Sequence, residues 1–158
     1  MKTKEFSSFR DPSGFVYKED GILYRQINSC YKRQFMNLTE SGLYDELISN
    51  NLLIEHTIVK NDSVESNNPI IIKPYYVPFI SYPYEWSFSQ LKDAALTTLS
   101  THKHALNYGM ILKDASAYNI QFINGQAKLI DTLSFDFYED GMPWIAYGQF
   151  CRHFLAPL

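Results

Sequence analysis

The chain has 158 residues, enough for one compact domain and hardly enough for two. Apolar residues make up 46% of the chain and aromatic residues 16%, so the composition excludes a globally disordered protein. Fourteen Lys and Arg against 17 Asp and Glu leave a net charge of −3, which argues against a protein that tracks nucleic-acid phosphates. We therefore expect no nucleic-acid partner.

The cysteines and the hydropathy pattern indicate the compartment. Cys30 and Cys151 are too far apart in sequence for a CxxC metal motif or a disulfide framework, and we expect two reduced, buried thiols. The sequence contains no run of 18 apolar residues and no basic-then-apolar leader. We expect a cytoplasmic protein with no membrane partner.

The first half of the chain predicts a small β-rich lobe with helices. Apolar runs on both sides of Asp20-Gly21 predict a β-hairpin, because this dipeptide suits a tight turn. In chain order we predict a flexible N-terminus at 1–13, strands at 15–17 and 22–27, helical segments at 29–37 and 43–53, a mobile turn at 60–68, and strands at 70–72 and 77–80.

The second half contains the clearest helix. It begins near Ser87 or Ser89, and its apolar residues recur at helical spacing as far as about Tyr108, where Gly109 suits the C-terminal cap. A second hairpin follows, with strands at 120–123 and 127–130 joined by Asn124-Gly125, and then a helix at 144–155.

These elements predict an α+β protein with a β-rich lobe at 14–86 and a helical part at 87–158. The last predicted helix is apolar and runs directly into FLAPL at the end of the sequence. We expect either that the chain is a piece of a longer protein or that a downstream domain or a second copy covers this end.

Three polar residues surround the second hairpin. Asp114 and Asn119 precede it in KDASAYN at 113–119, and Asp131 follows it in LIDTLSF at 129–135. The tight turn brings the ends of the two strands together, so Asn119 and Asp131 can face one site. Mg²⁺ prefers oxygen ligands, and one amide and one carboxylate are sufficient when phosphates and waters complete the shell. Alternatively, the same residues cap a turn and end a strand.

The order D-x4-N, hairpin, D resembles the catalytic skeleton of protein kinases. The resemblance implies a protein-kinase-like fold, truncated in its C-terminal lobe, with ATP and Mg²⁺ as cofactors and an acceptor of unspecified chemistry. It implies that Asp114 is the general base and that Asn119 and Asp131 are metal ligands. The chain departs from the pattern by having LKD where kinases have HRD, DTL where they have DFG, and no G-x-G-x-x-G near its start.

The same resemblance implies nucleotide-binding residues in the first lobe. Arg25 lies where a kinase has the strand lysine that meets the phosphates, and its helix partner would be Glu40 or Glu46, of which we favour Glu46. Tyr84 and Glu85 would lie at a hinge against which adenine packs. A surface strand arginine and an aromatic core corner are equally compatible with these segments.

Three stretches, at 82–96, 112–119 and 129–135, resemble the N-terminal region of a bacterial family described as SAM-dependent methyltransferases, some of them as nodulation-type proteins. In that family the methyltransferase domain lies further along the chain, so SAM would bind only the longer protein. Two hypotheses follow: an active or degenerate ATP/Mg²⁺-binding phosphotransferase-like module, or a non-catalytic module that positions a substrate or partner for a downstream methyltransferase.

Overall fold

The computed structural model describes residues 2–4, 11–60 and 68–158. They form an α+β protein, as predicted, with antiparallel strands and, within these ranges, four α-helices. The chain divides into two compact units, residues 1–37 with 55–76 and residues 38–54 with 77–158, which we name unit 1 and unit 2. The flexibility predicted at residues 5–10 and the mobile turn predicted at 61–67 lie outside the described residues.

Unit 1 is built on an antiparallel sheet. Its strands are β1 (Lys2–Lys4), β2 (Gly14–Glu19), β3 (Ile22–Ile27), β4 (His56–Lys60) and β5 (Ile70–Pro74), in the spatial order β1-β2-β3-β5-β4. The predicted β2–β3 hairpin is confirmed: Asp20 and Gly21 have φ values of 49° and 80°, which suit the turn that joins twisted strands. The sequence did not predict β1, which lies in the segment expected to be flexible. The turn predicted at 60–68 was expected to join two strands, and β4 is the strand before it, whose bounds were not predicted.

A helix follows the hairpin of unit 1. Residues 29–31 form a short 3-10 turn that leads into α1 (Lys32–Glu40), close to the predicted helical segment. Phe35 on α1 is fully buried, and its ring centroid lies 5.5 Å from that of His56 on β4. Ile27, Ile70 and Ile72 are buried on the sheet. This packing places the imidazole of His56 in an apolar environment.

Unit 2 contains the long helix and the second hairpin. Its elements are α2 (Leu43–Ser49), α3 (Phe88–Asn107), β6 (Met110–Leu112), β7 (Ile120–Ile123), β8 (Gln126–Leu129), β9 (Phe135–Phe137) and α4 (Tyr147–Phe150), which continues as a π-helix over Cys151–Leu155. The predicted start of α3 is confirmed, because Ser87 and Gln90 cap it reciprocally. The predicted β7–β8 hairpin is also confirmed, with positive φ at Asn124 and Gly125.

The core of unit 2 draws on both of its chain segments. Buried leucines at 38, 43, 47 and 53 pack with small residues of α3 and with apolar residues of the strands and the last helix. Residues 52–54 run beside β8, where Ile54 donates to the Leu129 carbonyl at 2.8 Å and Leu129 donates to the Leu52 carbonyl at 2.9 Å. This pairing fixes the end of β8 and therefore the residues that follow it.

Several predictions of local structure are wrong. Residues 77–80, which include Pro78, form no strand, since a proline has no N–H to give to a ladder. The last helix begins at Tyr147, three residues later than predicted, and the strands β6 and β9 were not predicted. No helix within the described ranges is both long enough and apolar enough to cross a bilayer.

Candidate functional site

The loop at 113–119 connects β6 to β7 and is tightly hydrogen-bonded. Lys113 continues the pairing of β6 with β9 by donating its N–H to the Ser134 carbonyl at 2.8 Å. Residues 117–119 form a 3-10 turn in which Asn119 donates to the Ser116 carbonyl at 3.0 Å and Tyr118 donates to the Ser116 hydroxyl at 3.3 Å. The backbone that carries Asp114 and Asn119 is therefore hydrogen-bonded both within the loop and to the segment after β8.

Asp114 is half-buried, and its carboxylate is oriented from two sides. Its Oδ1 accepts a hydrogen bond from the Ser116 N–H at 2.9 Å, closing a local turn of the kind that aspartate favours. The same Oδ1 accepts from Nε2 of Gln149 at 2.8 Å. A bond from a neutral donor to an ionised carboxylate is stronger than one between neutral groups. These two donors set the direction in which the carboxylate points.

Asn119 and Asp131 meet at a buried serine. The Asn119 Nδ2 donates to the Ser134 Oγ at 3.3 Å, and the Asn119 carbonyl accepts from the Ile130 N–H at 2.8 Å. Ser134 in turn donates its N–H to the Asp131 carbonyl at 3.3 Å, while the Asp131 Oδ1 accepts from the Leu133 N–H at 2.8 Å. Ser134, which is only 1% exposed, is thus bonded by the side-chain amide of Asn119 and by the main-chain carbonyl of Asp131, while the Asp131 carboxylate closes its own turn.

The donor set at this position suits a hard cation. Amide and carboxylate oxygens are ligands that Mg²⁺ accepts, and Mg²⁺ commonly takes only one or two ligands from the protein and the rest from phosphates and water. Among the described residues there is no cluster of three or more His, Cys, Asp or Glu side chains that could hold a metal. A cation held by Asn119 and Asp131 would have to take its other ligands from phosphates and water, and these two side chains alone do not make a zinc site.

Arg25 lies on β3 of unit 1, in register with Val16 on β2 and Ile72 on β5. Its Nη2 is 3.9 Å from the Asp11 Oδ2, at the limit of a salt bridge, and the arginine side chain is 11% exposed. Arg25 is therefore a largely covered strand residue and not the surface arginine that the sequence left open.

Glu46, predicted as the partner of Arg25, lies on α2 in unit 2. Its carboxylate accepts a hydrogen bond from the Tyr108 hydroxyl and contacts the His104 Nδ1, both on or at the end of α3. The Tyr108 bond, followed by the His104 bond, holds the pKa of Glu46 below its usual value, and the bond to Glu46 raises the pKa of Tyr108. Glu46 joins α2 to α3, a contact that the sequence did not predict.

A buried glutamine anchors the aromatic segment at 81–86. Gln121 on β7 accepts from the Ser81 N–H at 2.9 Å and donates its Nε2 to the Ser81 carbonyl at 2.9 Å. The Trp86 indole N–H donates to the Ser81 Oγ at 2.9 Å, and its ring packs edge-on against Phe122 at 5.2 Å. The segment is therefore anchored to β7 although it contains no regular strand. The sequence signal was a polar residue inside the apolar run IQFI.

The predicted adenine-binding residues lie on this anchored segment. Tyr84 is 75% exposed and stacks on Tyr82 with a centroid separation of 5.5 Å and an interplanar angle of 4°. Desolvation first, and then the neighbours Glu85, Tyr82 and Tyr118, raise the pKa of Tyr84. Glu85 accepts the Tyr82 N–H at 2.7 Å and so closes the turn. Tyr82, Tyr84 and Tyr118 form an exposed group of rings, which we name the aromatic patch.

The segment before the last helix is tied to the strand that leads into the loop. The Trp144 indole N–H donates to the Leu112 carbonyl at 2.7 Å, and its ring stacks on His102 at 4.2 Å. Burial lowers the pKa of His102.

The last helix also bonds the loop at 113–119. The His153 Nδ1 accepts from the Ala117 N–H at 3.2 Å. Sequence reasoning missed Gln149 and His153, whose only local signal is a pair of polar residues four positions apart in an apolar helix.

Comparison with known proteins shows a similarity over most of the chain. No family model matches the chain. The chain is 35% identical over 154 residues, 96% of its length, to the nodulation protein NoeA of Rhizobium meliloti (strain 1021). It spans 32% of the length of that protein. The similarity supports the nodulation-type relationship that the three sequence stretches predicted, over a region of about a third of NoeA.

Proposed function

We propose that this chain carries a protein-kinase-like site that binds MgATP and transfers a phosphoryl group. The observation that supports the proposal best is that Ser134 bonds both the side-chain amide of Asn119 and the main-chain carbonyl of Asp131, next to the loop that carries Asp114. The spacing of these three residues resembles the catalytic skeleton of kinases, and their contacts join the loop before the hairpin to the segment after it.

Each residue has a defined task in the proposed site. Asn119 gives its Nδ2 to Ser134, so its amide oxygen is the atom suited to ligate the cation, together with a carboxylate oxygen of Asp131. Mg²⁺, when bound, would neutralise charge that develops on the transferred phosphoryl group. Asp114 would accept the proton of the acceptor hydroxyl. Tyr84 and Glu85 would flank the nucleotide base, and the task of Arg25 remains a prediction from the resemblance.

Isothermal titration calorimetry with ATP in the presence of Mg²⁺ tests the proposal. We expect saturable binding to the wild-type chain and at least about tenfold weaker binding to Asp131→Ala, because the variant loses a charged ligand of the cation. Asp140→Ala is the matched control, since Asp140 is an exposed aspartate in a nearby turn. Wild-type protein that releases no heat, or an Asp131→Ala variant that binds as the wild type does, would refute nucleotide binding at this site.

A second candidate function is a non-catalytic module that positions a substrate or partner for a downstream methyltransferase. The similarity to NoeA favours it, because the chain spans only 32% of that longer protein. The departures from the kinase pattern, LKD for HRD and DTL for DFG, favour it as well. The test is the longer protein itself: Tyr84→Ala would lower methyl transfer with SAM affinity unchanged. A reading frame without a SAM-binding domain would refute this second function.

A further inference from the structure

Gln149 binds the loop through both atoms of its amide. Its Nε2 donates to the Asp114 Oδ1 at 2.8 Å, and its Oε1 accepts from the Ala115 N–H at 2.7 Å. Only this orientation of the amide is compatible with both partners, because a flipped amide would set N–H against N–H and oxygen against a carboxylate. Gln149 therefore contacts two successive residues of the loop with opposite halves of one side chain.

His153 binds the same loop one helical turn later. Its Nδ1 accepts from the Ala117 N–H at 3.2 Å and lies 3.4 Å from the Ser116 Oγ. Residues four apart lie on one face of a helix, so Gln149 and His153 form a continuous contact along residues 114–117. The helix changes to π-helical geometry at Cys151, between the two residues. Short π-helical turns are rare and are frequent at functional sites.

The hydrogen bonds of Asp114 involve one of its two carboxylate oxygens and leave the other available to accept a proton. Within the described part of the chain, both hydrogen bonds to its carboxylate end on Oδ1, one from Ser116 and one from Gln149. Oδ2 is then the oxygen that can receive a proton. A carboxylate that could rotate about its Cβ–Cγ bond would present either oxygen, and the Gln149 donor removes that freedom.

We propose that Gln149 is the positioning residue of Asp114, holding Oδ1 so that Oδ2 faces the acceptor hydroxyl. This inference rests on the proposed phosphotransferase site, and it names a residue to which neither the kinase skeleton nor the similarity to NoeA assigns a task. In this proposal Gln149 acts through Asp114. The Ala115 bond keeps the amide in place, and the Asp114 bond does the positioning.

Two substitutions separate these two bonds. Gln149→Glu keeps an oxygen that accepts from the Ala115 N–H, but its ionised carboxylate has no hydrogen to donate and repels the Asp114 carboxylate. Gln149→Met has a similar length and loses both bonds. Gln126→Met is the matched control, because Gln126 is exposed at the start of β8. Positioning of Asp114 would be lost in both variants, and retention of the Ala115 bond in Gln149→Glu alone separates that loss from a loosened loop.

The first measurement is spectroscopic and needs no activity. In ¹H–¹⁵N spectra of the full chain, we expect a downfield-shifted Gln149 side-chain amide proton that moves upfield in Asp114→Asn, because a charged acceptor makes the stronger bond. Amide hydrogen exchange of Ala115 should stay slow in Gln149→Glu and become fast in Gln149→Met. A Gln149 amide signal that does not respond to Asp114→Asn would overturn the proposal.

The second measurement is kinetic, with MgATP as substrate and water as the acceptor, followed by release of ADP. We expect Gln149→Glu and Gln149→Met to lower kcat by about tenfold to a hundredfold, a part of what a general base contributes, with KM for MgATP within about twofold of wild type. Gln126→Met should match the wild type. Wild-type kcat in Gln149→Glu would refute positioning and leave the proposed function intact.

Failure of the proposed function gives a different result. Wild-type protein that neither binds nor hydrolyses MgATP would overturn the phosphotransferase site and, with it, the catalytic task of Gln149. The amide spectrum would still report the contact between Gln149 and Asp114 in that case. Binding of MgATP together with an unresponsive Gln149 signal would instead overturn the positioning alone.

Discussion

Two irregular segments of unit 2 are each held by a glutamine side chain that bonds through both atoms of its amide, but the two segments carry different functional groups. Gln121 binds the backbone of Ser81 through both amide atoms, and Gln149 binds Asp114 and Ala115 in the same two-sided manner. The first anchor supports a surface of exposed rings, and the second orients a carboxylate. A glutamine amide carries one acceptor and one donor group side by side, so it replaces the pairing that a neighbouring strand would otherwise supply.

The two anchors differ in their access to water. Gln121 is 2% exposed, whereas Gln149 is half-buried. Loss of Gln121 leaves two main-chain groups of Ser81 without their protein partner. Loss of Gln149 leaves one, the Ala115 N–H, because the Asp114 Oδ1 keeps its other hydrogen bond. We therefore expect Gln121 to matter chiefly for stability and Gln149 chiefly for the orientation of a reactive group.

The largest effect on the free energy of unfolding that we expect comes from the protonation of His56 at low pH. The two anchors are therefore compared at pH 7. Burial lowers the pKa of His56 from 6.5 to about 4. The unfolded chain then binds a proton between pH 6.5 and 4 that the folded chain does not, so stability falls as pH falls through this window. By pH 4 the loss amounts to about 3 kcal/mol at this residue.

His56→Gln tests this effect by removing the titrating group. Urea unfolding at pH 7 and at pH 4 should show a drop in the free energy of unfolding for the wild type that is smaller in the variant. Some pH dependence remains in both proteins, because burial also lowers the pKa of His102. An equal drop in wild type and His56→Gln would contradict the prediction.

The comparison of the two anchors is tested directly by Gln121→Leu and Gln149→Leu. We expect Gln121→Leu to lower the free energy of unfolding by about 2 kcal/mol, since it leaves the Ser81 N–H and carbonyl without their protein partner. Gln149→Leu should cost about 1 kcal/mol or less. Urea unfolding at pH 7 measures both, with Gln126→Leu as the control. An equal loss of unfolding free energy in Gln121→Leu and Gln149→Leu would contradict the difference that we expect between the two anchors.

The smallest effect on stability is expected at the aromatic patch. Tyr84 is 75% exposed, so Tyr84→Ala should change the free energy of unfolding by less than about 0.5 kcal/mol. The same variant should weaken binding of MgATP about five- to tenfold, because stacking on an aromatic ring contributes about 1 kcal/mol or more per base. Calorimetry on a variant that unfolds like the wild type measures this. Unchanged affinity would remove the patch from the nucleotide site.

Local signals in the sequence predicted the parts of the fold that depend on local bonds. The turn at Asn124-Gly125 and the helix start near Ser87 depend on residues within three positions of one another, and both predictions are confirmed. The strands β6 and β9 are only three residues long and pair across more than twenty residues of chain, so neither carries a periodic pattern. Residues 77–80 are apolar enough to suggest a strand, but they lie in an irregular segment.

The candidate site likewise contains features that the local sequence predicts and features that depend on residues far apart in the chain. The spacing of Asp114, Asn119 and Asp131 could be read from the sequence, because the hairpin between them is local. The bonds of Gln121 and Gln149 join residues 40 and 34 positions apart. A single polar side chain that reaches across the fold leaves no pattern in its neighbours. For the same reason, the contact of Glu46 with α3 could not be predicted.

The pairing of residues 52–54 with β8 has a consequence for self-association. Leu129 both donates to Leu52 and accepts from Ile54, so its main-chain groups on the side away from β7 are already used. An exposed strand edge invites pairing with another molecule, and covering it prevents this. Strand addition by a second chain is therefore blocked at the end of β8 that leads to Asp131, which protects the candidate site from edge-to-edge aggregation.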